Sequence, residues 1–208
     1  MEPAVWIAAL CAYGLFRAWY DNWRGPLRPA EIEAFMARAS ASPSAAHNDM
    51  DVLRRFLEDD DGREFVMLNL VKVELGEVPH PQTGEPTLGP ELMSRYARLF
   101  MPALLARGGH PAIVARKVGG YVDAWRVAAD PGWSIVGFMR YRSRRDLMAL
   151  VVDPRFADAH PFKIAGTAET FSFPTRSTLR LFVGPRVWVG LWIALAAAFA
   201  QIAVMAAA

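Results

Sequence analysis

Hydrophobic residues crowd the two ends of the chain and are patterned with polar ones in between. Val187 to Ala208 is interrupted only by Gly190 and Gln201 and carries no charge. A helix of that length, at about 1.5 Å per residue, crosses a hydrocarbon core of about 30 Å, so the pattern predicts a membrane span over 187–208. Its small residues Ala194, Ala197 and Ala198 suit close helix–helix packing. Ala4 to Phe16 is apolar except for Gly14, and Arg17, Trp19, Tyr20 and Trp23 follow. Arginine beside aromatics marks an interfacial border, which predicts a second span over 4–20. The start Met1-Glu2-Pro3 lacks the basic region of a secretory signal, and no small-x-small cleavage site follows.

Between the ends the periods change from helical to extended and back. Pro29 suits a first helical turn, with Ile32, Phe35, Met36 and Ala39 at helical spacing. Residues 40–48 read as a linker. Asp49 or Asp51 can cap a second helix bearing Leu53, Phe56 and Leu57, closed by a turn at 60–62. Glu64 to Glu74 is the clearest strand, apolar on both faces except at Asn69 and Lys72. Residues 76–90, rich in proline and glycine, read as a long loop. A helix follows over 91–107, with Pro102 expected to kink it and Gly108-Gly109 to end it. Strands are expected at 112–118, 133–141 and 169–173, the last ended by Pro174. A helix is expected at 144–152 and a loop or short helix at 156–163.

The order strand, helix, strand, strand, helix, strand predicts an α+β fold: a ferredoxin-like βαββαβ antiparallel sheet with helices on one face. The domain organisation is then a transmembrane helix at 4–20, a helical linker region at 21–62, the α/β domain at 63–175 and a transmembrane helix at 187–208. The open face of so apolar a sheet needs cover, and two such sheets face to face form a closed dimeric barrel.

Composition narrows the partners. Twenty-three basic against twenty-one acidic residues is too balanced for a nucleic-acid protein. A single cysteine, Cys11, excludes a disulfide framework. Arg17, Arg24 and Arg28 follow the first apolar run; Arg176, Arg180 and Arg186 precede the second. Both basic flanks lie on the middle segment. The positive-inside rule therefore predicts a bacterial-type inner (plasma) membrane protein with its globular domain in the cytoplasm.

The segment from about 65 to 170 resembles a domain-of-unknown-function family of the dimeric α/β-barrel superfamily. The resemblance is carried by Met67-Leu68-Asn69-Leu70-Val71-Lys72, by Tyr96 with Pro102-Ala103-Leu104-Leu105-Ala106-Arg107-Gly108-Gly109, and by Arg140-Tyr141-Arg142-Ser143-Arg144. Val152-Asp153-Pro154-Arg155-Phe156 and Lys163-Ile164-Ala165-Gly166 complete it. It departs at Arg142, where the family commonly has proline, and at Lys163, where it has arginine. The resemblance implies a fold, a homodimer and a pocket inside the sheet, as in the cofactor-free monooxygenases, lactone isomerases and haem enzymes of the superfamily. It implies no particular reaction.

No phosphate loop, G-x-S-x-G or H-E-x-x-H motif is present. The histidines His47, His80, His110 and His160 lack metal-ligand spacing, so neither a metal site nor a cofactor is expected; His47 and His80 are expected in solvent. His160 titrates near neutrality and is the candidate acid or base. Asn69, Tyr96, Arg116, Tyr141 and Lys163 are the candidate ligand-binding residues: polar groups on apolar elements, able to orient an oxygen or stabilise negative charge. Arg140 is expected either to point to solvent or to pair with Asp123. The run Arg140, Arg142, Arg144, Arg145 is either a solvated edge or a surface for anions and lipid. Two function classes follow. One is a membrane-anchored dimeric barrel that binds a lipophilic small molecule and, if His160 is catalytic, converts it without a cofactor. The other is a non-catalytic accessory subunit of a larger membrane complex.

Overall fold

The computed structural model describes residues 2–179 and 182–207; Arg180 of the basic flank and the side chain of Arg155 lie outside the described residues. From the N-terminus the elements are α1 (Glu2–Tyr20), α2 (Pro29–Ser40), a 3-10 turn (Pro43–His47), α3 (Met50–Glu58), β1 (Phe65–Val73), β2 (Glu77–Pro79) and β3 (Pro86–Leu88). They continue with α4 (Gly89–Ala106), β4 (His110–Arg116), β5 (Ile135–Tyr141), α5 (Arg144–Val151), α6 (Pro154–Ala157), α7 (His160–Gly166), β6 (Thr167–Thr175) and α8 (Pro185–Ala206). They form two compact units: residues 24–176, and the two chain ends up to residue 23 and from residue 177.

The larger unit is mixed α and β. Its sheet is antiparallel with strand order β4-β5-β1-β6. β1 pairs with β5 from Phe65 opposite Tyr141 to Val71 opposite Ile135, and with β6 from Val66 opposite Thr175 onwards. Side chains alternate between faces. Phe65, Met67, Tyr141 and Met139 therefore share the face that meets Phe100 and Leu104 of α4, Leu150 of α5 and Phe156 of α6. The opposite face carries two rows that cross all four strands. One is Ile113, Phe138, Leu68 and Phe173; the other is Ala115, Val136, Leu70 and Phe171. A second core, Leu27, Ile32, Met36, Leu57 and Met148, packs α2 and α3 against α5. Asp49 caps α3 by accepting hydrogen bonds from the amides of Asp51 and Val52, both at 3.0 Å.

Several boundaries differ from the sequence-based expectation, each for a physical reason. β6 runs through Pro174 to Thr175 because it is an edge strand, where a missing N–H faces outward. The loop at 76–90 contains the β2–β3 hairpin, turned at Gly84 with φ +76°. Helix α4 begins at Gly89 and continues through Pro102. It ends where Gly108, at φ +69°, lets the Gly109 amide return to the Leu104 carbonyl at 3.0 Å.

The smaller unit pairs α1 with α8. The Tyr13 hydroxyl donates to the Arg186 carbonyl at 2.9 Å, Asp21 pairs with Arg186 at 2.6 Å, and the Arg186 guanidinium lies over the Tyr20 ring. Gly190 faces the Tyr13 ring, where an added Cβ would sit 3.3 Å away, so the helices cross closely at a small residue. Ala197 is the buried residue of α8, while Leu191, Trp192, Phe199 and Ile202 are exposed. Among the described residues, α8 is the one helix long and apolar enough to cross a membrane. The second span expected over 4–20 is corrected here. α1 forms as a helix of 19 residues, but Glu2, Arg17 and its tyrosines and tryptophans dilute its apolar character below that of α8.

Candidate functional site

On the helix-facing side of the sheet, aromatic rings run from β1 to α7. Phe65 stacks on Tyr141 at 5.4 Å between centroids, and Tyr96 stacks on Phe100 at 5.4 Å. Phe156 touches Tyr96 and Phe100 and meets the His160 ring edge-on at 4.8 Å. The Lys163 ammonium lies 5.8 Å from the Tyr96 ring centroid. The i, i+3 spacing of His160 and Lys163 puts both on one face of α7. Four of the six candidate residues, Tyr96, Tyr141, His160 and Lys163, thus come together around one aromatic layer.

None of these four side chains makes a hydrogen bond or a salt bridge to a described residue; their contacts are ring–ring and cation–π. Burial acts on all of them. It raises the tyrosine hydroxyls well above their ordinary pKa, and Tyr141 adds to the effect at Tyr96. Burial lowers Lys163, for which no carboxylate compensates. Burial first, and the Lys163 charge second, lower His160 below its usual value and favour the neutral ring at pH 7. The cluster presents hydroxyl and ammonium donors and a neutral imidazole inside apolar walls.

Helix α7 is seated by a glycine. A Cβ on Gly166 would meet the Gly89 carbonyl at 2.9 Å and Leu92 Cβ at 3.1 Å. Only glycine lets α7 approach α4 this closely, and that approach brings Lys163 over Tyr96. The hairpin supports α7 from another side. His80 is buried, its Nδ1 accepts from the amides of Gln82 at 3.3 Å and Thr83 at 3.2 Å, and its ring meets Phe162 edge-on. The exposed loop position expected for His80 is corrected: the ring is the core of the hairpin turn. His47 is exposed.

The other two candidates lie apart from the cluster. Asn69 is on the helix-facing side, but its amide is engaged within the sheet. It donates to the carbonyls of Met67 at 3.0 Å and Gly137 at 3.3 Å, and accepts from Ser172 at 2.7 Å. Arg116 is exposed and lies opposite Ile135, six positions along β1 from the Phe65–Tyr141 pair, about 20 Å away.

The arginine run has a structural role that was not legible in sequence. Arg140 is buried. It is held by Glu64 at 2.5 Å and by the Gly108 carbonyl, and neither points to solvent nor pairs with Asp123. Arg142 pairs with Asp146 at 2.5 Å, Arg144 reaches Asp60 and the Phe56 carbonyl, and Arg145 is bound by Glu31. Arg107 pairs with Asp153 at 2.6 Å, joining the end of α4 to the end of α5. Two clefts are lined by residues outside the aromatic cluster. One, of about 450 Å³, is lined by Arg24, Arg28, Ala30, Glu31 and Arg145; the other, of about 400 Å³, by Pro90, Glu91, Ser94, Arg95 and Arg98.

No family model matches the sequence, and no curated protein matches it. The fold has solved counterparts. A protein of unknown function from Rhodopseudomonas palustris superposes with a TM-score of 0.54 at 20% identity, covering 64% of this chain and 96% of its own. A methylated form of that protein gives 0.54 at 18% identity, covering 65% and 96%. At this identity the likeness concerns the fold.

Proposed function

We propose that this chain is a membrane-anchored, ferredoxin-like domain of the dimeric α/β-barrel type that binds a lipophilic small molecule at the Tyr96–Tyr141–His160–Lys163 cluster. The strand order and the one-sided helix layer support the ferredoxin-like reading, and α8 supports the anchor. The observation that carries the site is Lys163, a half-buried ammonium whose partner among the described residues is an aromatic ring. A ligand bearing a carboxylate, enolate or carbonyl oxygen supplies what that ammonium and the two phenols lack, while Phe100 and Phe156 supply the apolar wall. His160, held neutral, accepts a proton from such a ligand if the site is catalytic. No cofactor enters this reading. The basic flanks Arg24, Arg28, Arg176 and Arg186 support a cytoplasmic placement of the domain.

The accessory-subunit reading has its own support: Asn69 and Arg116, two of the five expected ligand-binding side chains, stay outside the cluster. One experiment separates the two. The full chain is purified in mild detergent, and what it retains is identified by mass spectrometry. The small-molecule reading expects an acidic or carbonyl-bearing lipophile that is lost from Lys163→Met and Tyr96→Phe. Retention of protein subunits alone, unchanged in both variants, would establish the accessory role.

A further inference from the structure

Among the described residues, one fully enclosed side-chain polar atom lacks a hydrogen-bond partner, the Oε1 of Gln201. Gln201 stands in α8, in the run after Arg186 that is otherwise interrupted only by Gly190. At about 1.5 Å per residue it lies about 22 Å along the helix axis from Arg186. With that arginine at the membrane surface, Gln201 falls inside a hydrocarbon core of about 30 Å. No water is available there, and a primary amide with neither its carbonyl nor its NH2 group satisfied is costly.

The surroundings of Gln201 on the helix surface show where a partner fits. Gly190 faces the Tyr13 ring and Ala197 is buried, so these residues mark the side of α8 that meets α1. Gln201 borders that side. At 3.6 residues per turn, Ala194, Ala198 and Met205 fall on the adjoining flank, and Trp192 and Phe199 on the far side. Ala194 and Met205 are exposed, and Gln201 as a whole is half-buried. Ala194 and Ala198, one helical turn apart, let a second helix approach closely. We propose that this flank receives α8 of a second copy of the chain, and that the two Gln201 side chains hydrogen-bond each other across the contact. The amide itself selects this occupant. It carries a donor and an acceptor, so two of them related by a two-fold axis satisfy each other with reciprocal N–H···O bonds, which a lipid tail cannot do. Turning outward costs Gln201 no hydrogen bond to a described residue, since it has none to lose, and its carbonyl gains one. The inference rests on the reading of α8 as a membrane anchor and is independent of the aromatic cluster.

The test uses the full chain with its free, exposed cysteine removed by Cys11→Ser, reconstituted in phosphatidylcholine vesicles. Ala198→Cys and Met205→Cys report on the proposed flank and Phe199→Cys on the opposite one. The rate of oxidative cross-linking between chains is followed for each. The expected result is rapid cross-linking of the Ala198→Cys and Met205→Cys chains and little of the Phe199→Cys chain. Adding Gln201→Leu slows the rapid reactions roughly three- to tenfold, whereas Gln201→Asn, which keeps the amide, retains most of the rate. Equal rates on the two flanks, or rates indifferent to Gln201→Leu, overturn the proposal. Alkaline carbonate extraction of the same vesicles separates this outcome from failure of the anchor. A chain released by carbonate is not anchored, and both readings fall. A chain that stays in the membrane but cross-links without regard to Gln201 overturns the amide pair alone.

Discussion

Lys163 shows at the scale of one residue how a site and a fold make opposite demands. A half-buried ammonium without a carboxylate costs some stability, and the cation–π contact with Tyr96 returns about 1 kcal/mol of it. Lys163→Met keeps most of the side-chain volume and removes the charge. The expected outcome is an unfolding midpoint raised by a few degrees together with loss of ligand retention, read by thermal unfolding of the full chain in detergent. A marked fall in the midpoint would mean that the ammonium serves the fold instead. The same variant moves His160. Burial is the larger cause of its lowered pKa and remains, but the Lys163 charge is gone, so its NMR titration midpoint rises part of the way back to the usual value near 6.5. The sign for stability follows. With the folded pKa below the unfolded one, the neutral ring's contribution is complete above about 6.5 and declines as pH falls through the lowered value. That window narrows in the variant. Sequence singles out Lys163 and His160 as odd residues, but their burial depends on α4 and α6, which only the fold brings to them. The arginines 140, 144 and 145 mislead for the same reason. Glu64, Asp60 and Glu31 lie 76 or more positions away from their partners, beyond the reach of any local pattern.

Elements were legible in proportion to their length and period. β1 and α4 declare themselves because each carries many apolar residues at one spacing. The β2–β3 hairpin does not, because three residues per strand hold no period and Pro79 and Pro86 read as loop. Yet that hairpin, through His80 and Phe162, helps to seat α7. The α4–α7 approach at Gly166 is the more sensitive point. Gly166→Ala has no room at the Gly89 carbonyl, so the helices must separate. The expected cost is about 1–3 kcal/mol in denaturant unfolding. Because Lys163 moves with α7, its contact with Tyr96 loosens, and ligand retention falls more than it does in an equally destabilised variant of α3 such as Leu57→Ala, whose side chain lies in the other core. Equal retention in the two would show that α7 position is unimportant to the site.

For the whole molecule the decisive feature is the sheet face opposite the helix layer, where apolar side chains stay partly exposed. Ile113, Phe171 and Phe173 are roughly half exposed on it, and Trp133 packs edge-on against Phe171 at 5.2 Å. The two apolar rows are bordered by polar positions, the Lys72–Glu169 ion pair at one end and Thr175 at the other. An apolar band with a polar rim, crossing the full width of a sheet, is the form of an interface rather than of a solvated surface. A second copy presents the same band, and a two-fold arrangement lets each cover the other. At micromolar concentration in mild detergent, light scattering of the full chain is then expected to give twice the chain mass after correction for the micelle. Phe171→Glu combined with Phe173→Glu places like charges against their own symmetry mates and should halve that mass without unfolding the domain. If the double variant stays dimeric, association runs through the exposed apolar flank of α8 instead; if the unaltered chain is monomeric, a different protein covers the face. Such a dimer would also bear on the proposed ligand site. β1 and β5 carry the outward rows on one face and Tyr141 on the other, so closing the outer face stiffens the strands that hold the phenol, and the monomeric variant should retain less ligand although no residue of the cluster has changed.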